Sequence, residues 1–288
     1  MTNTTMVWWA LLCAVSAFNV VAWSTSAMLA LRRSLDHGPA TRQAMRLQIL
    51  LSAGYVLGCA YRSAFPVYDV GRLVLVDSWL SSVVVGRSVA TVAELCFAAQ
   101  WALLMHGIAH ANEHRLGLRV ARLVMPMIVI AELCSWHAVL TASNLGHVLE
   151  ESLWGLCAAA LVTSLLLVWP RCNRELRPAL AGAAAIGVGY VIYMFQVDVP
   201  MYWSRWLAED AHGRIPLTLV QGLLDASARW TVTHRWADWQ SEVVWMSLYF
   251  SLAVWLSIGL IHVPGRIALR TSTPQTRVAA PCLYGSTP

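Results

Sequence analysis

The chain contains a series of apolar stretches, most of them near the length of about twenty residues that an α-helix needs to cross a lipid bilayer. They predict seven spans, at residues 6–31, 46–61, 78–108, 120–142, 148–169, 178–198 and 243–263. Composition agrees, because 58% of the 288 residues are hydrophobic and only 12% are charged. A soluble domain of this length is more polar. The sequence therefore predicts an all-α polytopic membrane protein, a bundle of seven transmembrane helices.

The basic residues restrict both function and origin. All 20 are arginines, since the sequence has no lysine. A retinal Schiff base requires a lysine, so that class of seven-helix protein is excluded. Lysine codons are rich in adenine, so the absence of lysine favours a GC-rich genome, which is typical of bacteria. In a bacterium, a multi-pass protein of this kind is expected in the inner (plasma) membrane.

The seven cysteines are isolated in apolar runs and predict packing roles, not disulfides.

The distribution of arginine predicts the orientation in the membrane. Basic residues collect in loops on the cytoplasmic side of membrane proteins. One set of predicted loops and the tail hold thirteen of the 20 arginines, at positions 32, 33, 42, 46, 115, 119, 122, 171, 174, 177, 266, 270 and 277. We therefore expect an outside amino terminus and a cytoplasmic carboxyl terminus. This arginine-rich face would attract anionic membrane lipids, and we expect no nucleic-acid partner.

The domain organisation follows from the spans. Residues 1–265 form one predicted transmembrane domain, with no basic region before its first helix that would indicate a signal peptide. Its one long loop, 199–242, faces outward and carries apolar residues at helical spacing after Pro216, which predicts a helix lying along the interface. Residues 266–288 are polar and proline-rich and are expected to form a disordered cytoplasmic tail.

Ionisable residues within the apolar runs are the main indication of function. Charged groups at bilayer depth are energetically costly and usually mark a site or a pathway. Here they lie at mid-depth or in the predicted outer half, which indicates a cavity that opens outward. The set is Arg87, Glu94, Glu132, His137, His147, Glu150, Glu151, Asp198 and Glu242, with Tyr190, Tyr193 and Gln196 at the same outer depth.

Helical geometry groups these residues. At about 100° per residue, Arg87, Thr91, Glu94 and Trp101 fall within an arc of about 80°, and a second group formed by His147, Glu150, Glu151 and Trp154 falls within about 100°. Short loops join the third, fourth and fifth spans, so Glu94 and Glu132 are expected at similar depth. By the same arithmetic Glu132 and His137 differ by about 140° and do not share a face.

Three interpretations of this cluster remain open. In the first, His147, Glu150 and Glu151 bind a divalent metal ion, completed by other acids or His137. In the second, Glu94 and Glu132 act as acid and base, with Arg87 and His137 as electrostatic or hydrogen-bonding partners. In the third, Arg87 only pairs with an acid and the remaining polar groups cap helices. The candidate substrate-binding residues are Trp136, Asn144, Trp154 and Tyr193.

The preferred hypothesis is an intramembrane enzyme that acts on a lipid or another apolar small molecule entering the outer half of the bundle. The alternatives are a proton-coupled small-solute transporter, because buried glutamates also carry protons, and a seven-helix sensor with an outward ligand cavity. Against transport, the inner half lacks ionisable partners and the sequence shows no inverted repeats.

Overall fold

The computed structural model describes residues 4–272, and most of this part of the chain is helical. Six helices are long and apolar enough to cross a membrane: Thr4–Ser34, Val83–Ala111, Arg115–Thr141, Leu145–Arg171, Arg177–Ala211 and Val243–Leu260. The protein is thus an all-α, multi-pass membrane protein. The second predicted span lies in a helix of 26 residues, Pro39–Ala64, that is long enough but carries three arginines. A count of seven spans therefore remains a prediction.

The elements follow the chain in a simple order. The helices are α1 Thr4–Ser34, α2 Pro39–Ala64, α3 Val83–Ala111, α4 Arg115–Thr141, α5 Leu145–Val168, α6 Arg177–Tyr193, α7 Val199–Ala211, α8 Leu219–Ala228, α9 Trp236–Trp239, α10 Val243–Leu248, α11 Val254–Leu260 and α12 Val263–Ser272. Short strands are β1 Val67–Tyr68, β2 Leu73–Val74 and β3 Thr231–Val232. The π-helical segments Met194–Asp198 and Tyr249–Ala253 join α6 to α7 and α10 to α11.

Local sequence explains several helix boundaries. Helix α2 begins with Pro39, whose missing N–H costs nothing in a first turn. Helix α4 is capped at its carboxyl end by Ala142, which adopts a left-handed conformation with φ 51°. The N–H of Ala142 donates a hydrogen bond to the Ala138 carbonyl. Helix α8 begins with a capping box between Thr218 and Gln221.

Successive helices from α1 to α6 pack against their neighbours in sequence, and α11 packs against α1, α2 and α3. Helix α6 packs mainly on α5 and makes no extensive contact with α10 or α11. The short connections make neighbouring helices antiparallel. They define an arginine-rich end, with loops 35–38, 112–114 and 172–176, and a loop-covered end, with loops 65–82, 142–144 and 212–242.

The loop-covered end is organised by a small sheet that the sequence did not predict. Strand β2 pairs antiparallel with β1 and parallel with β3, so the loop before α10 is joined to the loop after α2. Arg72 fixes this junction: it donates to Asp225 Oδ2 at 2.9 Å, to the Asp69 carbonyl at 2.9 Å and to the Val139 carbonyl at 2.8 Å. Rings of Trp8 and Trp239, 6.0 Å apart, place the start of α1 at the same end.

Asp225 is the acid at the centre of that junction. Burial raises the pKa of its carboxyl group, but hydrogen bonds from Arg229 and Arg72 outweigh this effect and leave the pKa below its usual value.

Two predicted boundaries are corrected. The sixth span does not end at residue 198, because the helix continues through the π-helical segment into α7 and ends at Ala211. Pro200 lies in the first turn of α7, a position where proline does not break a helix. The helix therefore continues past Pro200 and ends only at Ala211, shortly before Gly213. The predicted tail 266–288 begins inside α12, which extends to Ser272; residues 273–288 lie outside the described part of the chain.

The predicted helix of the outer loop forms as α8 and packs against α3 and α4. A Cβ atom on Gly222 would lie 1.6 Å from the Leu140 carbonyl oxygen, so the backbones touch at this glycine. The opposite side of α8 exposes Val220 and Leu224. Its placement at the membrane interface remains a prediction.

Between the two ends, a polar network joins α2, α3 and α11. Gln100 donates to Gln48 Oε1 at 3.0 Å and accepts from Ser257 Oγ at 2.6 Å. The hydroxyl oxygens of Ser52 and Ser257 are hydrogen-bonded at 2.9 Å. All four side chains are buried. Because their hydrogen bonds are directed at one another, this network stabilises helix packing.

Candidate functional site

Arg87 lies at the centre of a buried ionic cluster formed by α3, α4 and α5. Its Nη2 atom donates to Glu94 of the same helix and to Glu132 Oε2 at 2.7 Å, and Nη1 lies 3.4 Å from Glu150 Oε1. The arginine is 4% exposed and the three glutamates are 3–8% exposed. The structure therefore brings Glu94 and Glu132 together on one guanidinium, whereas the short loops between these helices predicted only a similar depth.

Further hydrogen bonds orient two of the three carboxylates, Glu132 and Glu94. Thr91 Oγ1 donates to Glu132 Oε2 at 2.6 Å and accepts from Trp136 Nε1 at 3.1 Å. The Tyr249 hydroxyl donates to Glu94 Oε1 at 3.1 Å. Such contacts hold side chains in one geometry, which an active or binding site requires.

His147 extends the cluster toward the loop-covered end. Its Nδ1 atom lies 2.7 Å from Glu150 Oε2, and its ring packs on Tyr202 with centroids 4.9 Å apart. The other oxygen of Glu150 faces Arg87. Glu150 therefore connects a guanidinium with an imidazole, the side chain best suited to proton transfer near neutral pH.

The cluster borders a cavity of about 450 Å³ in the interior of the helix bundle. This volume is within the range of small-molecule binding sites. Ionisable groups line it at and near the cluster: Arg62, Asp69, Arg87, Glu94, His147, Glu150, Glu151, Asp198 and Glu242. The remaining wall is apolar and aromatic, and includes Phe97, Trp101, Trp154, Leu161, Ile186 and Leu256. The cavity can accept a molecule with one polar and one apolar part.

Both π-helical segments border this cavity. The segment between α6 and α7 carries Met194 and Asp198 in the wall, and the segment between α10 and α11 carries Tyr249 and Ala253. A π-helical turn inserts one extra residue in a helix and is frequent at functional sites. Each of these segments carries one polar side chain in the cavity wall, Asp198 in the first and Tyr249 in the second.

A second ion pair, between the half-buried Arg205 and the buried Glu242 of the cavity wall, lies at the loop-covered end. Arg205 Nη2 donates to Glu242 Oε1 at 3.0 Å, and the guanidinium lies over the rings of Tyr68 and Tyr202, 5.2 Å from each centroid. Trp245 Nε1 donates to the other oxygen of Glu242 at 2.6 Å.

The predicted site residues divide into two sets. Those that line the cavity are Arg87, Glu94, His147, Glu150, Glu151, Trp154 and Tyr193. Those outside the cavity wall are Glu132, Trp136, His137 and Asn144.

The second set has other surroundings. Glu132 contacts Arg87 from outside the cavity wall, and Trp136 reaches the cluster only through Thr91. His137 is exposed on α4, as its rotation of about 140° from Glu132 requires. Asn144 Nδ2 donates to Glu209 Oε1 at 2.6 Å and so connects α7 to the turn before α5.

Of the predicted metal ligands His147, Glu150 and Glu151, only Glu150 belongs to the described acids that lie close enough to share a metal ion. Among the described residues, the acids that bring one oxygen each within 4.8 Å of one another are Glu94, Glu132 and Glu150. Oxygen donors suit Mg²⁺, Ca²⁺ or Mn²⁺. However, Arg87 already donates to all three glutamates, so its guanidinium occupies the position of a cation. The residues present fit an arginine better than a metal ion.

Sequence reasoning missed Arg62, Tyr249 and Tyr202. Arg62 falls just past the end of the second predicted span and resembles an ordinary flanking arginine. The two tyrosines lie among many aromatic residues near predicted span ends. Only the rotation of their helices, which the sequence does not give, distinguishes them.

Comparison of the chain with models of known protein families finds no match, and comparisons with curated proteins and with solved structures find no significant similarity. The function must therefore be inferred from the site itself.

Proposed function

We propose that this protein is an intramembrane enzyme that uses buried carboxyl groups for acid–base chemistry on an apolar or amphipathic molecule. The observation that carries the proposal is the placement of Glu94, Glu150 and Arg87 in the wall of a largely apolar cavity. Catalytic sites characteristically combine an enclosed pocket with a few convergent ionisable groups.

The charges of the cluster supply both an acid and a base. Three carboxylates face one guanidinium, so full ionisation would leave an excess of two negative charges. A carboxylic acid can donate a proton and a carboxylate can accept one, so three carboxyl groups around one cation offer both functions of general acid–base catalysis.

The residues take different roles. Glu94 and Glu150 line the cavity and exchange protons with the substrate, while Arg87 stabilises negative charge that develops there. Glu132 is a positioning residue, because it holds Arg87 and does not line the cavity. His147, which contacts Glu150, transfers protons between this carboxyl group and the loop-covered end.

The number of membrane spans and their orientation are also proposed. We infer seven spans in a bacterial plasma membrane, with α2 as the additional span and the loop-covered end outside. The support is that twelve of the thirteen arginines of the predicted cytoplasmic face, those up to Arg270, belong to loops and helix ends at the opposite side of the bundle. A cysteine-labelling test of residues in loops 35–38 and 212–242 would check this orientation.

The test of catalysis uses isosteric variants. We expect Glu94→Gln and Glu150→Gln to reduce turnover by at least about 100-fold, since each removes one proton-transfer group. Membrane lipids incubated with the purified protein are compared by mass spectrometry before and after reaction. Glu175→Gln is the matched control, because Glu175 is exposed at the arginine-rich end. Turnover unchanged in both cavity variants would refute the proposed roles.

Proton-coupled transport is the second candidate, favoured by protonatable carboxylates inside the bundle. Against it, the polar residues beyond the cluster, Gln48, Gln100, Ser52 and Ser257, hydrogen-bond one another and do not line the cavity. Proteoliposomes with an imposed pH gradient distinguish the two functions: solute uptake abolished by Glu94→Gln would favour transport.

A further inference from the structure

Arg62, near the end of α2, is a buried cation without an acidic partner. Its side chain lines the cavity and only 3% of the residue is exposed. No carboxylate oxygen of a described residue lies within salt-bridge distance of its guanidinium, and Nε has no hydrogen-bond partner. A buried charge without a partner is costly, and proteins retain such groups when a ligand completes them.

The groups around Arg62 compensate only part of its charge. The guanidinium lies over the ring of Trp245, 5.7 Å from the centroid, which is a cation–π contact. It interacts electrostatically with Glu94, but that carboxylate is hydrogen-bonded to Arg87 and to Tyr249. Arg62 can therefore accept a further negative charge.

A second cation lies close by in the same network. Trp245 connects Arg62 to Glu242, and Glu242 pairs with Arg205. One nitrogen of Arg205, Nη1, is buried and has no hydrogen-bond partner. Arg62 and Arg205 each keep an unused donor, and Trp245 and Glu242 connect the two side chains. Together they form a site for an anion, because the planar fork of arginine matches phosphate and carboxylate groups.

The cavity next to Arg62 specifies the rest of the ligand. Its deeper wall is apolar, with Val124, Leu161 and Leu165. On one side α6 does not close against α10 and α11, and a Cβ atom on Gly189 in this wall would meet nothing within 4 Å. A molecule bound at Arg62 therefore has room for a hydrocarbon chain in the cavity and a path toward the surrounding lipid.

We propose that Arg62, assisted by Arg205, binds the phosphate headgroup of an anionic lipid whose acyl chain occupies the apolar part of the cavity. This inference rests on the proposed function, since it names the substrate class of the same site. It places the headgroup beside Glu94, which faces both the cavity and Arg87.

The experiment measures ligand binding and does not depend on turnover. Purified protein in a neutral detergent is titrated with dioleoyl phosphatidic acid, with dioleoylglycerol, which has the same chains without phosphate, and with inorganic phosphate. Binding is followed by native mass spectrometry and by tryptophan fluorescence, to which Trp245 contributes. We expect phosphatidic acid to bind at least about 10-fold more tightly than either of the other probes.

Substitutions then assign the headgroup site. We expect Arg62→Gln to weaken phosphatidic acid binding by roughly 10–100-fold, the effect of losing a charged hydrogen-bonding group, and to leave dioleoylglycerol binding unchanged. Unchanged dioleoylglycerol binding also shows that the variant is folded. Arg46→Gln is the matched control, because Arg46 is exposed at the other end of α2.

Each outcome is decisive. Equal binding of phosphatidic acid and dioleoylglycerol by the unmodified protein would overturn the proposal, whether or not Arg62→Gln folds. Inorganic phosphate binding as tightly as phosphatidic acid would overturn the assignment to a lipid and leave a free anion as the ligand. Binding of phosphatidic acid that depends on Arg62, in a protein whose Glu94→Gln variant shows no loss of turnover, would support the headgroup site and refute the acid–base proposal separately.

Discussion

Removal of the Arg87 charge tests whether the cluster is held together by its single cation. In Arg87→Met the three glutamates lose their shared donor while remaining buried. Breaking a buried ion pair by removing one partner costs about 3–5 kcal/mol. At about 2–4 °C per kcal/mol, the melting temperature should fall by roughly 6–20 °C. Thermal unfolding in detergent, followed by tryptophan fluorescence, measures this change.

A compensating substitution distinguishes loss of the charge from loss of packing. The double variant Arg87→Met/Glu132→Gln removes one of the acids left without a partner. We expect it to recover at least about 1 kcal/mol relative to Arg87→Met alone, because contacting charges are energetically coupled. Arg119→Met, at an exposed position of α4, is the control and should change stability by no more than about 0.5 kcal/mol. An Arg87→Met variant as stable as this control would refute the electrostatic account of the cluster.

Two further predictions concern the loop-covered end. Asp225→Asn should lower the melting temperature at pH 7. Because the folded pKa of Asp225 is below the unfolded value of 3.8, this stabilisation is present above that pH and is lost as the pH falls through the folded pKa. The difference between variant and parent should therefore disappear in acid, and a constant difference would contradict the assignment. Gly222→Ala should destabilise the protein by about 1–3 kcal/mol, because the added Cβ meets the Leu140 carbonyl. Gly182→Ala, with no neighbour within 4 Å, should not destabilise it, and equal losses in a denaturation assay would contradict the close approach of α8.

The sequence was sufficient to predict the helices and the similar depth of Glu94 and Glu132, but not that these acids face each other. Apolar runs of membrane length located most spans within a few residues, and the short loops around α4 placed Glu94, Glu132 and Glu150 on adjacent antiparallel helices. The shared face of Arg87 and Glu94 followed from helical periodicity alone.

The remaining features depend on contacts between distant parts of the chain. The rotation of each helix decides that Glu150 lines the cavity and Glu132 does not, and an apolar sequence contains little information about this rotation. The sheet pairs two-residue strands that are more than 150 positions apart, without any periodic signal. Arg62 differs from the exposed flanking arginines in being buried without an acid within salt-bridge distance, which is a property of the folded molecule.

The π-helical segment Met194–Asp198 has a consequence for changes in chain length. A π-helical turn absorbs one extra residue, so helices α6 and α7 retain the relative rotation of a helix one residue shorter. Deleting Val197, which is exposed in that segment, should convert it to regular α-helix and leave Tyr190 and Tyr202 directed at the same interior. Deleting Val188 instead should turn one half of the helix by about 100° against the other. The segment is therefore the point in this wall where the chain can lose a residue without misdirecting the side chains on either side.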